Sequence, residues 1–69
     1  MSNSVYKTID LIGTSEKSWE DAAKTAVERA AKTLEDLRIA EVKELDMKIE
    51  AGKVIAYRAN VRVSFKYRD

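Results

Sequence analysis

The chain has 69 residues, 13 Lys and Arg against 12 Asp and Glu for a formal net charge of +1, and neither Cys nor His. That length allows one domain at most, and the balanced charge argues against nucleic-acid backbone as the main partner. The missing Cys and His exclude disulfides, thiolate metal sites and the Ser-His and Cys-His nucleophile pairs.

A chain this short hides only about 60% of the surface it exposes when unfolded, so partner subunits are the expected staple. No apolar run nears the roughly 20 residues of a membrane span. Met1-Ser2-Asn3-Ser4 lacks a basic stretch followed by an apolar one, so no signal peptide is expected and a cytoplasmic location is the default.

Val5 to Ile12 is predicted as a first strand, because Val5, Ile9 and Leu11 alternate with Tyr6, Thr8 and Asp10. Gly13-Thr14-Ser15 is expected to break it. Ser18 then opens a helix as N-cap, with Asp21 three residues on in a capping-box-like position. Trp19, Ala22, Ala23, Ala26, Val27, Ala30, Ala31, Leu34 and Leu37 form one apolar stripe at helical spacing. Glu20, Lys24, Glu28 and Lys32 lie on the opposite face at steps of four, a pattern of supporting ion pairs. Trp19 at the first turn is read as core or subunit interface.

Ile39 to Glu50 is a second strand whose apolar phase slips between Val42 and Leu45, so a β-bulge is predicted near Lys43-Glu44. Ala51-Gly52-Lys53 is a turn, and Val54 to Tyr67 is a long third strand. Ile55, Tyr57, Val61, Val63, Phe65 and Tyr67 share one of its faces; Arg58, Asn60, Arg62, Ser64, Lys66 and Arg68 share the other. The result is a single α+β domain over residues 1–69, in the order β-α-β-β. A right-handed crossover sets the first two strands parallel, with the third between them and antiparallel to both. Both outer strands lack Pro and stay open for neighbouring subunits.

Leu11-Ile12-Gly13-Thr14-Ser15, the Ala-rich helix, Ala40-Glu41-Val42 and the closing Val61-Arg62-Val63-Ser64-Phe65 resemble the dodecin family, over essentially the whole chain. The resemblance implies a subunit of a hollow homododecamer, many of which store flavins between subunits. It also implies two flavin contacts, a stacking Trp and a hydrogen-bonding Gln, at positions that here hold Ile39 and Arg58. Ile offers no aromatic face for stacking, and Arg only donates where Gln also accepts. Trp19 and Leu37-Arg38-Ile39-Ala40 are more similar to the calcium dodecin branch, so the implied ligand is calcium and not flavin.

Calcium takes several oxygen ligands. Glu44, Asp46 and Glu50 lie at even positions of the second strand and share a face, which makes Glu44 and Asp46 the candidate metal ligands. The competing reading pairs Asp46 with Arg58 across the strands if the turn holds three residues and Glu50 faces Val54, or Glu44 with Arg58 if the register shifts by two. Asp10, Glu16 and Glu20, with the Gly13 and Thr14 carbonyls, are a second oxygen-rich group, read first as helix capping. Arg58, Arg62, Lys66 and Arg68 form a basic stripe, but the aromatics Tyr57, Phe65 and Tyr67 have the parity of the other face, unlike an RNA-binding sheet. Ser15, Ser18, Lys24 and Lys32 have no base or pocket that would make them catalytic. The expected function is a non-enzymatic homo-oligomer that binds, stores or buffers a small ligand or ion. A flavin-binding dodecin with an altered pocket and a structural assembly without physiological ligand are the alternatives.

Overall fold

The computed structural model describes residues 3–67. Strand β1 (Tyr6–Ser15) leads into helix α1 (Trp19–Ala30), followed by two long strands, β2 (Leu37–Glu50) and β3 (Lys53–Lys66). The sheet order is β1-β3-β2, and β3 is antiparallel to both neighbours. β1 and β2 are therefore parallel edge strands, as the crossover rule requires.

The first strand does not break at Gly13. It continues to Ser15, with Gly13 paired to Ala59 in the ladder. Gly13 serves packing instead: a Cβ there would collide with the Ala22 carbonyl oxygen of α1. The bare backbone lets the helix settle directly on β1.

Ser18 caps α1 as expected, and its Oγ accepts from the Asp21 N–H at 3.0 Å. Only half of the capping box forms. The Asp21 carboxylate accepts from the Ser15 hydroxyl at 2.6 Å, and the Ser18 N–H points to Ser15 Oγ at 3.4 Å. The helix also ends earlier than its apolar stripe. Beyond Ala30 the Lys32 and Thr33 amides donate to the Arg29 and Ala30 carbonyls at 3.2 and 3.1 Å, a tightening to i+3 bonds that closes helices. Asp36, at φ 61°, then turns the chain, a conformation that Asp tolerates better than most residues. Leu37 thus belongs to β2, opposite Phe65, and not to the helix. The expected helix pairs among Glu20, Lys24, Glu28 and Lys32 do not close; the ion pairs of the described residues lie on β1, β2, β3 and the turn into β2.

The predicted bulge is present: Val42 pairs with Val61 and Glu44 with Asn60, leaving Lys43 as the extra residue. The hairpin turn is shorter than expected. Glu50 pairs with Lys53 and not Val54, and Ala51-Gly52, with φ of 51° and 75°, form the two-residue loop. Positive φ at both positions is the type I′ geometry whose twist suits a hairpin. A register shift at Lys48–Ile49 leaves Ile55 unpaired, and Asp46 still lands opposite Arg58.

The core is small. Ala22 and Ala26 of α1 meet Ala59, Val61 and Val63 of β3, with Ile9, Leu11, Ala23, Val27 and Leu37 around them. The helix covers β1 and β3 and leaves most of β2 exposed: only Leu37, at its start, is partly buried against the core. Among the described residues no helix is long and apolar enough to cross a membrane.

Candidate functional site

Alternation divides β3 into a row beneath α1 (Ala59, Val61, Val63) and a row on the open face (Arg58, Asn60, Arg62, Ser64). The ladders bring to that open face Thr8, Asp10, Ile12 and Thr14 from β1, and Ile39, Glu41, Glu44 and Asp46 from β2. Of the residues that the sequence singles out as pocket or metal candidates, Ile39, Arg58, Glu44 and Asp46 share this surface with Asp10, whereas Glu16 and Glu20 lie at the start of α1.

Two carboxylates on it are held by arginines. Arg58 donates from Nε and an Nη to the two oxygens of Asp46 at 2.7 and 2.8 Å. Arg62 reaches Asp10 on the other flank at 2.9 and 3.4 Å. Such fork-to-carboxylate pairs are the strongest of the ionic hydrogen bonds. The Arg58 hydrogen bond holds the Asp46 carboxyl below the usual carboxylate range, and Arg62 does the same for Asp10 with help from the Lys43 charge. Each arginine is in turn held above its ordinary value by its carboxylate. Glu41, in register with Arg62, meets Lys43 at 3.6 Å. Asp10 is thereby removed from the oxygen-rich group imagined around Glu16 and Glu20.

Between the two clamps lies a different environment. Glu44 has no ion-pair partner among the described residues and stands opposite Asn60, whose Oδ1 is buried without a hydrogen-bond partner. A carboxylate without a cation partner is a hard oxygen donor of the kind calcium selects. Within one chain the set stops there: the described residues hold no group of three or more acidic side chains placed to grip an ion.

Trp19 lies under the opposite face. It is half-buried, stands edge-on to Tyr57 with ring centroids 5.1 Å apart, and donates its indole N–H to the Asp46 carbonyl at 2.9 Å. Arg58, Asp46 and Trp19 thus converge on one rung of β2. Ile39 does not join them. It is 67% exposed and sits opposite Ser64. Ser64 is six residues from Arg58 along β3, about 20 Å at roughly 3.3 Å per residue. Ile39 and Arg58 can touch one small ligand only when they come from different copies. In the basic stripe, Arg68 lies outside the described residues, as do Met1 and Ser2 of the N-terminal reading.

Sequence reasoning missed Asn60 and the Asp10–Arg62 clamp. The parity of Arg62 was legible, but its partner lies 52 residues away, and only the β1–β3 register joins them.

Residues 5–68 match the family model of the dodecins. The chain belongs to the dodecin family. It is 52% identical over 65 residues to the calcium dodecin of Mycobacterium tuberculosis, covering 94% of this chain and 92% of that protein. The crystal structure of that calcium-chelating antigen, described as having a novel calcium-binding site, superposes with a TM-score of 0.83 at 53% identity over 94% of this dodecin and 93% of that chain. The dodecin of Thermus thermophilus is 40% identical over 65 residues, 94% of each protein. The dodecin of Streptomyces coelicolor superposes with a TM-score of 0.92 at 32% identity, over 100% of this chain and 99% of that one. The β-α-β-β subunit with one helix on three antiparallel strands is the dodecin fold.

Proposed function

We propose that this dodecin is a non-catalytic subunit of a homo-oligomeric shell that takes up calcium, and that it does not store flavin. The observation that carries the reading is the state of Arg58. Its guanidinium has no acceptor and already commits Nε and one Nη to Asp46, so the position that the family resemblance assigns to a flavin edge cannot supply the donor and acceptor of an amide. Ile39, at the stacking position, presents an exposed aliphatic side chain. Likeness to a calcium dodecin supports the choice of ion.

The donors fit calcium in kind but not in number within one chain. Calcium takes six to eight oxygens, so copies must pool their carboxylates. Glu44, without an ion-pair partner among the described residues and in register with Asn60, is the ligand that each copy contributes. Asp46 joins only by exchanging Arg58 for the ion. The shell arrangement follows from the thin core and the open edges of β1 and β2.

Native mass spectrometry with calcium and then riboflavin tests the reading. A multimer that gains calcium and no flavin is expected, and Glu44→Gln should lose most of the uptake at unchanged subunit number. A multimer that takes up flavin and ignores calcium would overturn it.

A further inference from the structure

Of the carboxylates Asp10, Glu41, Glu44 and Asp46 on the open face, three are already answered by a cation of the same chain. Arg62 forks Asp10, Arg58 forks Asp46, and Lys43 meets Glu41 at 3.6 Å. Glu44 has no ion-pair partner among the described residues. The two arginine clamps are not equivalent with respect to it. Glu44 and Asp46 are two residues apart on β2 and pair with Asn60 and Arg58 of the open-face row, so their Cα atoms lie about 7 Å apart on one face. Asp10 belongs to β1, on the far side of β3. Released from Arg62, Asp10 would stand alone. Released from Arg58, Asp46 would stand beside a second unpaired carboxylate.

We infer that Arg58 is a tethered cation in the seat that Asp46 and Glu44 together would offer a divalent ion, so that its grip on Asp46 sets how tightly each copy takes up calcium. The inference rests on the calcium reading above and names the residue that regulates it. Three observations carry it. The fork engages both oxygens of Asp46, at 2.7 and 2.8 Å, so the guanidinium and an ion compete for the same acceptors. The pair is open to solvent, with the Arg58 side chain 42% and the Asp46 side chain 54% exposed, and an exposed pair holds weakly enough to exchange. The backbone beneath it is fixed, because the Asp46 carbonyl accepts the Trp19 indole N–H at 2.9 Å. The exchange therefore needs only side chains to move. A displaced Arg58 stays tethered beside the seat, and its charge continues to oppose the ion. Such a seat fills and empties with the ion concentration, as a buffer requires.

Calcium titration of the assembled protein by calorimetry, at fixed ionic strength, tests the inference. Arg58→Gln is expected to bind calcium tighter by roughly fivefold, the factor that one exposed ion pair represents. Arg58→Lys keeps the charge but loses the fork, so its affinity should fall between the two, and it carries the test if Arg58→Gln fails to assemble. Arg62→Gln removes the same charge but frees only Asp10, and its gain should be much smaller. Equal gains from Arg58→Gln and Arg62→Gln would overturn the inference in favour of a general charge effect. Adding Asp46→Asn to Arg58→Gln should abolish the gain, and a gain that survives also overturns it. Unchanged affinity in Arg58→Gln, at the wild-type subunit number, overturns the inference and leaves the calcium reading standing. A wild type that takes up no calcium overturns that reading. Uptake by Arg58→Gln alone would then still bear the inference out, whereas uptake by neither overturns both.

Discussion

Arg58 holds both carboxylate oxygens of Asp46 across the β2–β3 ladder, while the carbonyl of the same Asp46 accepts the indole N–H of Trp19 from the other side of the sheet. One residue of an edge strand is thereby tied to the central strand through its side chain and to the helix through its backbone.

These clamps make stability depend on acid in a defined direction. Asp46 and Asp10 have folded pKa values below their ordinary ones. The unfolded chain therefore takes up protons first as pH falls. The stabilising contribution is complete above the ordinary carboxylate value of about 4 and is lost as pH falls through the folded pKa. Asp46→Asn and Asp10→Asn should each lower Tm slightly at pH 7, since exposed pairs contribute little. The deficit should vanish near the acid end of a circular dichroism melting series. A deficit of equal size at both ends would show that the clamps are not the cause.

Gly13→Ala should destabilise the fold through the seat of the helix and not through backbone conformation. The added methyl meets the Ala22 carbonyl and lies 3.0 Å from Ala26 Cβ, so α1 must lift from β1. Overpacking of this kind costs about 1–3 kcal/mol. Chemical denaturation measures it, and a loss below a few tenths of a kcal/mol would show that the helix shifts freely.

Ala51 occupies a left-handed position, φ 51°, that glycine or asparagine adopts more readily. Ala51→Asn restores the Asn-Gly pair preferred in type I′ turns. A gain of up to about 1 kcal/mol is expected, on the scale that left-handed strain carries for ordinary residues. An unchanged or lowered Tm would contradict the turn assignment.

Ile39→Trp with Arg58→Gln should raise riboflavin affinity, because it supplies an aromatic face and an amide with both donor and acceptor. Quenching of flavin fluorescence reads the change. The roughly 20 Å between the two positions in one chain requires that they act from different copies. The gain should therefore be absent from any monomeric fraction of the double variant separated by size-exclusion chromatography. No gain in the double variant would mean that the pocket differs in shape and not only in these two side chains.

What was legible in the sequence is local. The strand-helix-strand-strand order, the Ser18 cap, the bulge at Lys43 and the Asp46–Arg58 pair each depend on residues close along the chain. Asp46 and Arg58 are 12 apart, joined by a short hairpin whose register can be counted. The counting reached the right pair through the wrong turn, because a two-residue loop and an unpaired Ile55 replace the three-residue loop. The end of α1 was misplaced because Leu34 and Leu37 continue the helical spacing, and periodicity cannot distinguish a helix that runs on from one that hands its last apolar residue to a strand.

The sequence by itself determined the elements, the family resemblance and the kinds of side chain on each face of β3, since alternation and helical spacing are properties of the chain alone. Only the tertiary structure decided which face each edge strand presents, that Asp10 meets Arg62, that Gly13 is a seat for α1, and that the helix covers β1 but not β2. Those outcomes depend on the register between segments some 50 residues apart and on where a rigid helix comes to rest, which no local pattern encodes.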